Sequence, residues 1–322
     1  MSAQKLGSRA IIGHFFKRLR QLEGQAWVNQ IAMSIGSDQA SEEYAWLGQI
    51  PGMREWVGER QAKGFSEFSQ TIINKHFEAT IEVMIHELRR DKTGQVMIRI
   101  AELARRTNSH WAKLLSDQIV AGIDTACYDS QFFFDTDHTE GRNTTSQSND
   151  ISVDISALPV SVNGVVTAPS VEEMQLSIVQ GIQAILGITD NENEPMNEDA
   201  TDFLVMTPLS LWATTQAALA NPMIATGASQ TSLQGLTSFN ISAVPNVRLD
   251  KASTAWTDEF CVFRTDAEAK PFIKQEETPV NIAAIAEDSE LEFREGKHEY
   301  GVDAWRNTGF GFWQDACLVT MT

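Results

Sequence analysis

The chain has 322 residues, of which 42% are hydrophobic and 21% charged, with a formal net charge of −18. That is enough apolar material for one large core or two modest ones without staples, and the excess of acid excludes a general phosphate-binding surface, since nucleic-acid affinity draws on lysine and arginine releasing counterions. The three cysteines, Cys127, Cys261 and Cys317, are far apart and lack the close pair of a zinc knuckle or redox motif. They read as buried thiols in a reducing compartment, with a bridge between two of them left open.

The N-terminal stretch MSAQKLGSRAIIGHFFKRLRQ carries a short apolar patch between basic residues but no h-region or cleavage site. No apolar run approaches the roughly 20 residues that span a bilayer, so the expectation is a cytosolic chain with no membrane partner. EYAWLGQIPGMREWVGERQAKGF then mixes aromatics, glycines and charges without a steady period, as an extended arm or long hairpin does, and its tryptophans Trp46 and Trp56 need a covering partner.

From Ile73 to Ile85 the pattern alternates: Ile73, Phe77, Ala79, Ile81, Val83 and Ile85 share one face, which predicts a long half-buried strand. From about Gln95 to Gly122 the period becomes helical, with Val96, Ile100, Leu103, Trp111, Leu114 and Leu115 spaced by threes and fours and Thr93 or Asp91 as the cap. One helix of that length would be about 40 Å long.

Then comes YDSQFFFDTDH, where three phenylalanines run into Asp135, Asp137 and His138. These three could open a metal site, but no further ligands are signalled, and a turn capped by aspartates over buried phenylalanines is the expectation. TEGRNTTSQSND reads as a connection. Ser170 and Glu173 form a capping box for a helix with the stripe Met174, Ile178, Ile182 and Ile185, closed by Gly187. FLVMTPLSLW predicts a strand, Thr207 as cap, Pro208 at the first helical position and a helix to about Ala220. The last third turns to strands, EFCVFRTD, KPFIKQEE and a pair, HEYGVDAWR and GFGFWQDACLVTM, with a turn at Asn307 to Gly309. Strands arriving this late imply that the chain returns to an earlier domain.

The basic residues lie mostly before Arg142, and none occurs between Arg142 and Arg248. The acidic run from Asp190 is not an EF-hand, because Pro195 and Thr201 stand where glycine and glutamate are required. His76 and His86 are too far apart along a strand for joint coordination. Glu295 and His298 have the Glu-x-x-His spacing, but a strand follows where the motif needs a helix. The sequence contains no Walker loop, dinucleotide fingerprint, nucleophile elbow or His-Glu-x-x-His helix. No enzyme, catalytic residue, metal or cofactor is therefore expected.

The wording of five separated blocks adds more. YAWLGQIPGMREWVGER, NKHFEATIEV, CYDSQFFFDTDH, KPFIKQEE and GFGFWQDA resemble, in order, the major head subunit of Mu-like bacteriophages. The stretch from about Thr139 to Ser170 has no matching block. The resemblance implies an α+β chain with the Hong Kong 97 capsid fold. It places an N-terminal arm at 1–41, an E-loop at 42–80, and a peripheral domain with its spine helix (about 93–122) and following segment at 81–164. An axial domain follows at 165–247, with a return to the peripheral domain at 248–322.

Functionally it implies self-assembly into hexamers and pentamers of an icosahedral virion head, put together in the bacterial cytoplasm. That head would enclose double-stranded DNA without gripping it, with scaffold, portal and decoration proteins as further partners. Trp46 and Trp56, with Arg54, Glu55, Glu59 and Arg60 as ion-pairing candidates, become the expected subunit contacts of the E-loop. An encapsulin-like compartment shell is the alternative, and a metal-dependent hydrolase on Asp135, Asp137 and His138 a distant third.

Overall fold

The computed structural model describes residues 7–21, 25–44, 70–90, 94–139, 145–158, 163–190, 193–220, 223–226, 229–232, 239–250 and 256–322. Helix α1 (Ser8–Gln21) and the short α2 (Ala26–Ile31) lead into β1 (Ala32–Gly36) and β2 (Ser41–Tyr44). After β3 (Gln70–Ile73) come β4 (Lys75–Met84), α3 (Ile85–Arg90), α4 (Gln95–Asn108), α5 (His110–Ala121) and β5 (Asp150–Val153). The middle holds α6 (Val171–Leu186), β6 (Asp202–Thr207), α7 (Leu209–Ala220), β7 (Met223–Thr226), β8 (Ser229–Ser232) and β9 (Asn240–Pro245). The chain ends with β10 (Glu259–Arg264), β11 (Phe272–Ile285), α8 (Glu290–Glu295), β12 (Lys297–Phe310) and β13 (Ala316–Met321).

Two sheets organise these elements. A four-stranded sheet has the order β1-β11-β12-β4, so strands from the last quarter of the chain pair with strands from the first quarter. One of its faces is covered by α1 and α4: Ile11, Phe15, Val96, Ile100 and Leu103 meet Val83, Ile282, Tyr300 and Val302. The period-2 alternation of β4 holds at Phe77, Ile81 and Val83, while Ala79 and Ile73 stay exposed.

A five-stranded sheet has the order β5-β13-β10-β6-β9, with both outer pairs parallel. The near-continuous apolar runs of β6, β10 and β13 follow from burial on both faces. Helices α6 and α7 cover Phe203, Val205, Phe260, Val262 and Val319, and α5 with the segment after it covers Leu204, Met206, Phe263 and Leu318. Gly181 lets α6 approach closely, since a Cβ there would lie 2.8 Å from Val262 Cγ2 and 2.9 Å from Val319 Cγ2.

Several expectations hold and several do not. The capping box of Ser170 and Glu173 is formed, Gly187 closes the helix, and the predicted stripe is buried. The three thiols are free and buried. The single long helix is instead two, α4 and α5, separated at Ser109, which keeps right-handed dihedrals (φ −74°, ψ −1°). Thr107 Oγ1 donates to the Leu103 carbonyl at 2.9 Å and Ser109 Oγ to that of Arg106 at 3.0 Å, the back-bonding that bends helices.

Residues 91–93, the expected caps, lie outside the described residues, and Gly94 stands at the N-cap. The α7 terminus is capped by Asp250 Oδ2, which accepts from Leu209 N–H at 2.7 Å, rather than by Thr207. The turn expected at Asn307 to Gly309 is not one: β12 runs through it, with Asn307 opposite Gln275 and Gly309 opposite Ile273. Cross-strand hydrogen bonding to β11 overrides the local turn signal.

Candidate assembly site at the hairpin base

Strands β2 and β3 pair antiparallel, Ser41 with Ile73 through Tyr44 with Gln70, and so bracket residues 45–69 of the sequence as the base of a hairpin. The predicted contact residues Trp46, Arg54, Glu55, Trp56, Glu59 and Arg60 all fall in that span, outside the described residues. The base itself is held by groups that periodicity does not reveal. Tyr44 Oη donates to Gln275 Oε1 at 2.7 Å, and burial, with Glu42 nearby, pushes the phenol up to about 12, so it remains a donor. Gln275 is fully buried. Its amide donates to Asn74 Oδ1 at 2.8 Å and to the Ile72 carbonyl at 3.2 Å. Asn74 donates onward to the Gln39 carbonyl at 2.8 Å and Ser37 Oγ at 3.0 Å. Asn307 Nδ2 clasps the Ile73 carbonyl at 2.7 Å.

Gly309 completes the seat, because any Cβ there would collide with the Ile72 side chain. These interactions are mechanical: they fix β2 and β3 against β11 and β12. Beside the seat, two cations approach the ring of Trp111 on α5, Lys274 Nζ at 5.6 Å and Arg306 Cζ at 4.9 Å from its centroid. Burial lowers both Lys274 and Arg306 from their ordinary values.

The exit from α5 contains the cluster singled out by its sequence. His138 is fully buried, and its ring nitrogens meet Asp129 and Asn149, not Asp135 or Asp137. Its Nδ1 lies 2.6 Å from Asp129 Oδ2 and its Nε2 3.2 Å from Asn149 Oδ1. Its ring stacks on Trp313 at 3.9 Å and 6°. Asp129 Oδ1 also accepts from Cys127 Sγ–H at 2.9 Å and Gln131 N–H at 3.1 Å. Cys127, Asp129 and His138 are the cluster of ligand atoms close enough to consider for a metal among the described residues. Their polar atoms instead satisfy one another, and burial, then Asp129, pushes the Cys127 thiol far up and keeps it protonated.

Asp135 is the turn cap: its carboxylate accepts from Phe132 N–H at 3.1 Å and Thr136 N–H at 2.7 Å. Burial opposes its ionisation, but these bonds hold it below the usual range. Phe133 and Phe134 are buried beneath the turn, whereas Phe132 is 45% exposed, a correction to the expected trio. Glu295 ends α8 and His298 lies on β12, so that pair has no helix to share.

This architecture has known relatives. A family model described as Mu-like prophage major head subunit gpT matches residues 10–158 and 181–321. The chain is 39% identical over 114 residues to the Mu-like prophage FluMu major head subunit of Haemophilus influenzae, a match covering 35% of this chain and 37% of that protein. It is 33% identical over 110 residues to the major capsid protein of Escherichia phage Mu, covering 34% and 36%. It thus spans just over a third of the length of these curated relatives.

A chain of the bacteriophage JBD30 procapsid superposes with a TM-score of 0.53 at 24% identity, over 97% of this chain and 74% of that one. That likeness bears on the fold, which is the Hong Kong 97 type found in phage capsids. With the family model covering most of the sequence, the chain belongs to the Mu-like prophage major head subunit gpT family.

Proposed function

We propose that this chain is the main building block of a tailed-phage head. Many copies form hexamers and pentamers that close into an icosahedral shell around double-stranded DNA, with weak contacts multiplied by valency. The observation that carries this reading is family membership over two long stretches, and a hydrogen-bonded strand pair that brackets the 25 residues 45–69 supports it. We assign residues 42–80 to an E-loop that reaches a neighbouring subunit, after an arm at 1–41. The remaining parts are a peripheral domain at 81–164 and 248–322 and an axial domain at 165–247. Trp46 and Trp56 would be covered by that neighbour, and Arg54, Glu55, Glu59 and Arg60 would form ion pairs there.

The net charge of −18 suits a container that encloses DNA without holding it. Scaffold, portal and decoration proteins are the further partners, and assembly takes place in the host cytoplasm. An encapsulin-like compartment shares the fold, but the family match supports the phage head. A hydrolase on Asp135, Asp137 and His138 has no support, since His138 is committed to Asp129.

Sedimentation velocity with negative-stain microscopy, on the protein alone and with candidate scaffold, tests the proposal. Ring-shaped capsomers or closed shells support it, and a monomer or dimer under both conditions overturns it. Trp56→Ala should impair assembly while leaving the monomer folded; loss of folded monomer would place Trp56 in the subunit's own core.

A further inference from the structure

Helix α1 contains four cations, Arg9, Lys17, Arg18 and Arg20, and no acid. Its apolar side, Ile11 and Phe15, is buried on the four-stranded sheet. On the outer side a groove of about 490 Å³ is lined by Gly13, Phe16, Lys17, Arg20 and Gln21, residues spaced i, i+3, i+4, i+7 and i+8, which is one continuous helical stripe. Its floor is apolar, from the half-buried Phe16 and from Gly13, where a Cβ would meet nothing within 4 Å. Its described cations are Lys17 and Arg20.

No carboxylate among the described residues forms an ion pair with Arg9, Lys17, Arg18 or Arg20, whereas on the neighbouring α4 Glu102 takes Arg105 and Arg106, and Arg99 is near Glu87. His14, on the same helix, is lowered by burial and then by Arg18 and Lys17, a mark of the positive field.

We propose that this groove is a docking surface for an acidic amphipathic helix of a partner protein, with apolar side chains seated over Gly13 and Phe16 and carboxylates facing Lys17 and Arg20. Charge complementarity selects an acidic partner, and the apolar floor selects one that also offers apolar side chains. A nucleic-acid backbone offers none, and a duplex longer than the roughly 10 Å screening distance also meets the repulsion of an acidic chain. The proposal goes beyond shell formation and does not depend on it.

The test is fluorescence anisotropy with the full-length protein and three labelled probes: a helical peptide of leucine and glutamate with all leucines on one face, a scrambled peptide of the same composition, and a short DNA duplex. The amphipathic peptide should bind at least about tenfold more tightly than the scrambled one. Lys17→Glu with Arg20→Glu should weaken it by at least about tenfold. Gly13→Gln adds a side chain into open space on a helix, so it should fill the groove and weaken binding equally with an unchanged circular dichroism spectrum. If the charge-reversed protein fails to fold, Gly13→Gln alone decides.

Equal binding of both peptides, tighter binding of the duplex through Lys17 and Arg20, or no binding of any probe overturns the proposal. Shell formation by the same samples is scored separately by microscopy, so a failure of the head reading and a failure of the groove are told apart.

Discussion

Glu173 offers the sharpest test of how the segment before α6 is held. Its side chain is fully buried. Oε1 accepts from Asn163 N–H at 2.6 Å and Gly164 N–H at 2.7 Å, and Oε2 from Ser170 N–H at 2.6 Å. One carboxylate therefore closes the capping box and also ties down the incoming loop. Hydrogen bonds to a charged group contribute about 1.5–3 kcal/mol each, but Asn163 and Gly164 are exposed enough for water to replace part of the loss. Glu173→Ala should therefore cost about 3 kcal/mol, less than the roughly 4.5–9 kcal/mol that three fully lost bonds would sum to.

Glu173→Gln keeps one oxygen as acceptor but points an amide N–H at Ser170 N–H, so it should cost about 2 kcal/mol. Burial opposes ionisation of Glu173, yet the N–H groups of Gly164, Ser170 and Asn163 hold it below the usual value. The folded pKa thus lies under the unfolded one, and the contribution is present above the unfolded pKa and lost as pH falls through the folded one. Urea denaturation of unassembled subunit from neutral to acid pH should give a flatter acid limb for Glu173→Gln than for wild type. Equal midpoints at neutral pH and parallel acid limbs would refute the reasoning.

Three further changes test other parts of the structure. Gly311→Ala places a Cβ against the Lys270 carbonyl, which is backbone and cannot yield, so it should destabilise by more than the about 1–3 kcal/mol of ordinary overpacking, measured by thermal denaturation. His138→Leu leaves Asp129 buried without its ring partner and should cost about 3–5 kcal/mol; Asp129→Asn with His138→Leu should recover part of that loss in a double-mutant cycle, and strict additivity would contradict the coupling. Asp315 is pushed up to about 7 by burial, against the pull of Arg264 and Lys270; its contribution is present below its unfolded pKa and lost as pH rises through 7, so Asp315→Asn should gain on wild type between pH 5 and pH 8, and parallel profiles would count against it.

Local physics made a particular part of this structure legible. The α6 start could be read from Ser170 and Glu173 because a capping box is confined to one helical turn, whereas α7 begins at Leu209, one residue after the expected Pro208, and its cap Asp250 lies 41 positions away. The second use of Glu173, toward Asn163 and Gly164, was not legible because it depends on where the loop lies. The loop belongs to the stretch for which the sequence offered no matching block, and the family model also passes over residues 159–180. The false turn at Asn307 to Gly309 has the converse cause. Both residues carry turn propensity, but they serve non-local partners, Asn307 the Ile73 carbonyl and Gly309 the Ile72 side chain.

The blocks that carried the family resemblance share a physical property that periodicity cannot see. Four of them meet in space. Asn74 from NKHFEATIEV bonds Gln275 from KPFIKQEE across 201 positions of chain. Phe133 from CYDSQFFFDTDH lies 5.0 Å from Phe272 of the same KPFIKQEE block and 4.8 Å from Phe310 of GFGFWQDA, by ring centroids. His138 and Trp313 stack, and Gln314 donates to Tyr128 Oη at 2.7 Å. Buried amides, an imidazole and glycines of this kind are expensive to place in a core unless each finds its partner, so they mark a structural junction. The junction joins the two sheets and seats the hairpin base on one of them. The strand pair on either side of residues 45–69 is held to the body through Tyr44, Gln275, Asn74 and Asn307. Gln275→Ala, which removes the partner shared by Tyr44 and Asn74, should therefore lower the thermal midpoint of the unassembled subunit, and an unchanged midpoint would count against this reading.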